Sequence, residues 1–204
     1  MKPLLRFTLL FIFLSFNKSY GQYEFNLGYM APSGDISYLL KPAPSFEFVF
    51  HTGDVDSHYH FGFSLGYCSL STTQDTFRTY AVGGPTGGVL PGYEVIHKYE
   101  VVPIGMRNEF ILFPEKKLSP VLALDLVFNI ISIDEDDYAE TFIQSSETGD
   151  TYWSLAILPR FGAQYKLNDN IVFTAGFGRS MSFTGTVEND AYWKTYIGIK
   201  YYID

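Results

Sequence analysis

Cysteine is almost absent from these 204 residues: Cys68 stands alone, so no intramolecular disulfide can form. Cys68 sits within an alternating run and reads as a small buried filler, not a nucleophile. Basic residues are also few. There are 14 Lys and Arg against 22 acids, a net charge of −8, and an acidic chain lacks the basic face that phosphate backbones require. Nucleic acid is excluded as a partner on that ground. Tryptophan occurs only twice, although Phe (19) and Tyr (16) are abundant. Beyond Phe16 no run is apolar enough for a membrane-spanning helix, which takes about twenty residues. The glycine cluster Gly83 to Gly88 lacks the Lys-Ser/Thr of a phosphate loop, with Val89 and Leu90 in their place, and no strand–loop–helix context surrounds it.

What is present begins with an N-terminal targeting segment. Lys2 and Arg6 form a basic head, Phe7 to Phe16 an apolar stretch, and Ser19-Tyr20-Gly21 a small-residue cleavage site. The expected organisation is a signal peptide at 1–21 and one domain at 22–204. Removing Lys2, Arg6 and Lys18 leaves 11 bases against 22 acids, a mature charge of −11. No cysteine follows the apolar stretch to take a lipid anchor.

The mature chain is dominated by a two-residue beat. Leu122, Leu124, Leu126, Phe128 and Ile130 alternate with Ala123, Asp125, Val127 and Asn129. Similar runs occur at Tyr23–Tyr29, Phe46–Phe50, Tyr59–Tyr67, Val102–Met106, Trp153–Tyr165, Ile171–Phe177 and Trp193–Tyr201. Period-two alternation is the mark of β-strands with one apolar and one polar face. Runs of about ten residues match what a tilted strand needs to cross a bilayer. Aromatic residues bracket them, as interface girdles do. A sheet in lipid must close on itself, because an open edge leaves backbone groups unpaired. The expectation is an all-β fold: an eight-stranded antiparallel up-and-down transmembrane β-barrel, with long connections outside, short periplasmic turns and both termini at the periplasmic end.

Pro103 makes the fourth strand the least regular, since a mid-strand proline removes a ladder donor. Ser69 to Lys98 reads as the longest irregular region, with flanks at Thr76–Val82 and Val89–His97 that could extend the neighbouring strands. Ile133 to Thr151 reads as an acidic outer loop, with seven acids and no base. Within it Asp134, Glu135, Asp136 and Asp137 are the candidates for an interaction with a basic partner. They lack the spacing and turn glycine of a calcium loop, so a solvated, self-repelling segment is the preferred reading.

Inward parity falls on Glu24, Glu47, Glu109 and Asp125 and on Arg107, Arg160, Lys194 and Lys200. Eight strands enclose a space that side chains just fill, and buried charges must pair. These eight residues are therefore expected to interlock as a structural polar network in the lumen.

The segments Trp153–Asn170 (WSLAILPRFGAQYKLNDN), Phe173–Gly178 (FTAGFG), Tyr192–Lys194, Gly198–Tyr201, Gly28–Asp35 and Tyr99–Ile104 resemble the small PorT-like and OmpA/OmpX-like outer-membrane β-barrel domains. The likeness spans nearly the whole mature chain and rests on alternation and turn residues. The chain ends in Ile203-Asp204, where such barrels commonly end in an aromatic residue. The resemblance implies a bacterial outer-membrane location and surface loops that meet ligands or proteins. It also implies a place in an envelope or secretion assembly, and it carries no catalytic motif or cofactor.

The expected role is non-enzymatic, structural or interactive, in a monomeric barrel surrounded by outer-membrane lipid. A lipid A-modifying acyl-hydrolase or acyltransferase would need His97, with Ser69, Ser71, Ser180 or Ser182 at the outer rim and an orienting acid. His51 and His60 flank the first turn, at the opposite end. A narrow channel is a third reading. A soluble lipocalin-like carrier is a fourth, because parity alone does not say which face is buried.

Overall fold

The computed structural model describes residues 21–73, 77–83, 88–139, 142–185 and 191–203; the expected signal peptide, but for Gly21, lies outside the described residues. Eight long strands follow one another: β1 (Gly21–Ser33), β2 (Ala43–Thr52), β3 (Tyr59–Thr72), β4 (Gly88–Ile111), β5 (Leu118–Ala139), β6 (Phe142–Lys166), β7 (Ile171–Arg179, resumed at Met181–Gly185) and β8 (Ala191–Tyr202). Each pairs antiparallel with its sequence neighbour. β1 also pairs with β8, from Gln22 opposite Tyr202 to Ser33 opposite Ala191, and this closes the barrel. A 3₁₀ turn at Gly34–Tyr38 and a short strand, Leu40–Lys41, connect β1 to β2, and Leu40 is buried.

Burial follows the alternation and decides which face is which. Phe25, Leu27, Phe63, Leu124, Phe161, Phe177 and Ile197 lie exposed on the outside. Glu24, Glu47, Arg107, Asp125 and Lys200 are buried inside. A water-soluble barrel would have the reverse arrangement, so the lipocalin-like reading falls. On the outer surface aromatic rings meet across neighbouring strands. Phe128 stacks with Trp153 and Phe161 with Phe177, at centroid separations of 5.9 and 6.0 Å.

Short turns close one end. Ser57 donates its N–H to the Asp54 carbonyl, and Gly53 takes φ +127°, a left-handed conformation that glycine tolerates. Asn168 Oδ1 accepts from the backbone N–H groups of Asn170 and Ile171 at 3.0 and 2.8 Å, fixing the turn into β7.

β4, β5 and β6 run 24, 22 and 25 residues, far beyond the roughly 9–11 that a bilayer needs. Two expectations are corrected here. Most of Ile133 to Thr151 is not a loop, because β5 and β6 continue as a paired ladder through Asp137 and Ser146. Aspartate is disfavoured in strands, yet the pairing with both neighbours carries the backbone through. Ser69 to Lys98 is less irregular than expected, because the anticipated strand extension of its flanks is present: Phe77–Gly83 pairs with Gly88–Glu94.

Pro103 is accommodated inside β4 by its neighbour. The β3–β4 ladder keeps one register, but no pairing joins it between Leu65–Ile104 and Cys68–Val101, so it is interrupted beside the ring. A Cβ on Gly66 would come within 2.8 Å of Pro103 Cγ, so glycine leaves the space the ring takes.

The lumen has two storeys. Toward the long strands it is apolar, with Met30, Leu40, Cys68, Leu70, Tyr99, Val101, Val127, Ile131, Leu158 and Tyr192 packed together. Toward the short turns it is ionic.

Candidate functional site

All eight charged residues of inward parity are buried in the lumen, each at 5% exposure or less. Glu47 on β2 is the hub. It accepts from Arg107 Nη2 at 2.7 Å, Arg160 Nη2 at 2.8 Å and Lys194 Nζ at 3.0 Å, and from Asn26 Nδ2 at 3.3 Å. Asp125 lies 3.2 Å from Arg107 Nε and 2.7 Å from Arg160 Nη2. Glu24 accepts from Arg107 Nη1 at 3.3 Å and from Thr174 Oγ1 at 3.0 Å. Lys200 pairs with Glu109. The Arg160 guanidinium also lies over the Tyr196 ring, 5.3 Å from its centroid. A Cβ on Gly176 would stand 2.6 Å from the Tyr196 hydroxyl, so this glycine gives the tyrosine its room.

Two histidines join this network that charge counting along the sequence did not link to it. His51 Nε2 is 2.6 Å from Glu24 Oε2, and His60 Nδ1 is 3.4 Å from Glu109 Oε1. Both have the inward parity of the strands that hold them, which is the signal that finds them. With His60 on β3 and Thr174 on β7, every one of the eight strands contributes a side chain. Hydrogen bonds to charged groups are worth about 1.5–3 kcal/mol each when satisfied, while removing one partner of a buried pair costs more.

Glu24, His51 and Glu109 have donor atoms within 4.8 Å of one another, a spacing that suits a metal ion. The Lys200 ammonium, however, already pairs with Glu109 beside them. Among the described residues four carboxylates face two arginines and two lysines in the lumen, and a divalent ion would leave excess positive charge in a low-dielectric space. The arrangement is a charge-balanced ionic network.

The other sequence candidates lie toward the long strands. Asp134 is exposed and sits opposite Lys98; Lys98 Nζ is 2.9 Å from Glu100 Oε1. Glu135, Asp136 and Asp137 occupy paired positions on β5, and their side chains lie outside the described residues. His97 falls where the β4–β5 register shifts, between Ile96 and Lys98, and its side chain likewise lies outside the described residues. The serines weighed beside it are divided. Ser69 and Ser71 are exposed, Ser182 is half-buried, and Ser180 is buried inside the barrel.

A closed barrel of eight antiparallel strands, apolar outside and ionic within, is an OmpA/OmpX-like outer-membrane barrel fold. No protein-family model matches the sequence, and no curated protein matches it. Solved structures do match. Neisserial surface protein A is 14% identical, with 89% of this chain and 96% of that chain covered at a TM-score of 0.58. A major outer membrane protein from Thermus thermophilus is 10% identical, with 90% and 99% covered at a TM-score of 0.50. At such identities the likeness is one of fold.

Proposed function

We propose that the chain is a non-enzymatic protein of the bacterial outer membrane that acts through the strands it raises above the bilayer. On this reading residues 1–21 are removed as a signal peptide and 22–204 form a single monomeric barrel in outer-membrane lipid. The observation that carries it is the Glu47 hub: three cations converge on one buried carboxylate across the middle of the lumen. Side chains that cross the lumen and pair there favour a plug over a water-filled channel. The apolar belt then serves to hold the barrel in lipid, and the polar extension of β4, β5 and β6 is what the barrel presents outside. The resemblance to PorT-like barrels supports a place in an envelope or secretion assembly.

Two measurements test this together. The outer-membrane fraction should contain a band whose gel mobility shifts on boiling, as a folded barrel's does. The purified protein should give no steady openings in planar bilayers. A periplasmic band without a shift refutes the location, and nanosiemens-scale openings refute the plug.

A further inference from the structure

The ring of strands hides every edge within the bilayer, but among the described residues the raised part of the sheet does not close. Among the described residues, positions 142–151 of β6 pair only with β5; β7 pairs with β6 from Ser154 onward. At about 3.4 Å per residue, β5 extends some 24 Å from Ser132 to its end at Ala139. A free strand edge outside the membrane presents unpaired N–H and C=O groups, a template for another strand.

The charge of this edge selects what pairs with it. Between 132 and 153 the sequence holds seven acids and no Lys or Arg. The register sets acids against one another in the isolated sheet, with Glu94 opposite Asp137 and Asp136 opposite Glu147. Like charges directly opposite each other weaken a strand pair. Edges are commonly guarded by lysine or proline, and 142–151 has neither. Its guards are Glu147 and Asp150, which repel a second copy of the same acidic edge and attract a cationic one.

From this pairing of a free edge with opposed acids, we infer that β6 at 142–151 receives a basic, extended segment of another protein by strand addition. The inference rests on the outward-acting role proposed above. The segment's backbone completes the ladder, and its Lys or Arg residues supply positive charge beside Glu147 and Asp150 of the edge strand, which offsets the Asp136–Glu147 opposition.

The test uses the full mature protein in detergent and a fluorescent ten-residue peptide of alternating Lys and Val. Three comparisons accompany it: a Glu/Val peptide, a Lys/Val peptide N-methylated at two adjacent central residues, and the protein variant D136N/E147Q/D150N. Methylating adjacent residues blocks both edges of the probe and leaves its charge intact. The expected result is saturable binding of the Lys/Val peptide, weakened at least tenfold by N-methylation and at least tenfold by the triple substitution. The Glu/Val peptide should not bind. Equal binding of the methylated peptide overturns the inference, because attraction without strand pairing would explain it. Self-association lost in a variant lacking 142–151 also overturns it, since the occupant would be a second copy. The triple substitution lies outside the barrel, so its boiling shift should match that of the wild type. A barrel that shifts on boiling and binds no peptide overturns this inference alone and leaves the outer-membrane reading intact.

Discussion

Replacing Glu47 by Ala is the sharpest perturbation of the lumen. The carboxylate is 2% exposed and takes part in ion pairs with Arg107, Arg160 and Lys194 at 2.7, 2.8 and 3.0 Å. Its loss leaves four basic side chains facing three carboxylates among the described residues. Asp125 still contacts both arginines, but among the described residues Glu47 is the one carboxylate paired with the Lys194 ammonium. Removing one partner of a buried pair costs about 3–5 kcal/mol, and water entering the vacated space sets the lower end of that range. The assay is reversible urea unfolding in phospholipid vesicles, followed by tryptophan fluorescence and by the boiling shift. A companion substitution, Lys194→Met, restores the balance at three against three. The double variant should then recover at least about 1 kcal/mol relative to the sum of the single losses, as coupled neighbours do. A Glu47→Ala barrel within about 1 kcal/mol of wild type would refute the claim that the network is buried and mutually dependent. Strict additivity with Lys194→Met would refute the hub.

The outer face gives a second prediction. Ile197 is 68% exposed in the middle of β8, and Ile197→Lys should destabilise the barrel in bilayers by about 2–4 kcal/mol, read by the same urea titration; an unchanged midpoint would mean this face does not meet lipid. Cys68 gives a third. Its sulfur is fully buried and 3.5 Å from the Pro44 carbonyl oxygen, so maleimide should leave the folded barrel unlabelled and react fully in concentrated urea. Rapid labelling of the folded protein would contradict the packed upper lumen.

Much of the barrel was legible because strand parity is a local property. Leu122 to Ile130 announces its two faces with no knowledge of any partner, and the eight charged residues of the lumen were found by the same count. Parity is symmetric, however, and only the burial of Glu24 and Arg107 against the exposure of Phe25 and Met106 tells inside from outside. The length of β5 was hidden for another reason. Asp134 to Asp137 has the composition of a solvated loop, and its strand state depends on ladders made with residues some 40 positions before it in β4. Pro103 likewise needs Gly66, which is distant in sequence, to make its tolerance intelligible. His51 and His60 carried the correct parity, but the hydrogen bond of the first to Glu24 and the approach of the second to Glu109 depend on reach across the lumen.

The order in which the network's charges occur along the chain bears on how the barrel closes. The four carboxylates come from β1, β2, β4 and β5, and the two guanidiniums from β4 and β6; both lysines come from β8. Without β8 the lumen would hold four carboxylates and only two guanidiniums among the described residues. The strand that closes the ladder with β1 is the one that brings Lys194 to Glu47 and Lys200 to Glu109. The eighth strand is thus an electrostatic latch: it neutralises the interior and also removes the last open edge from the lipid.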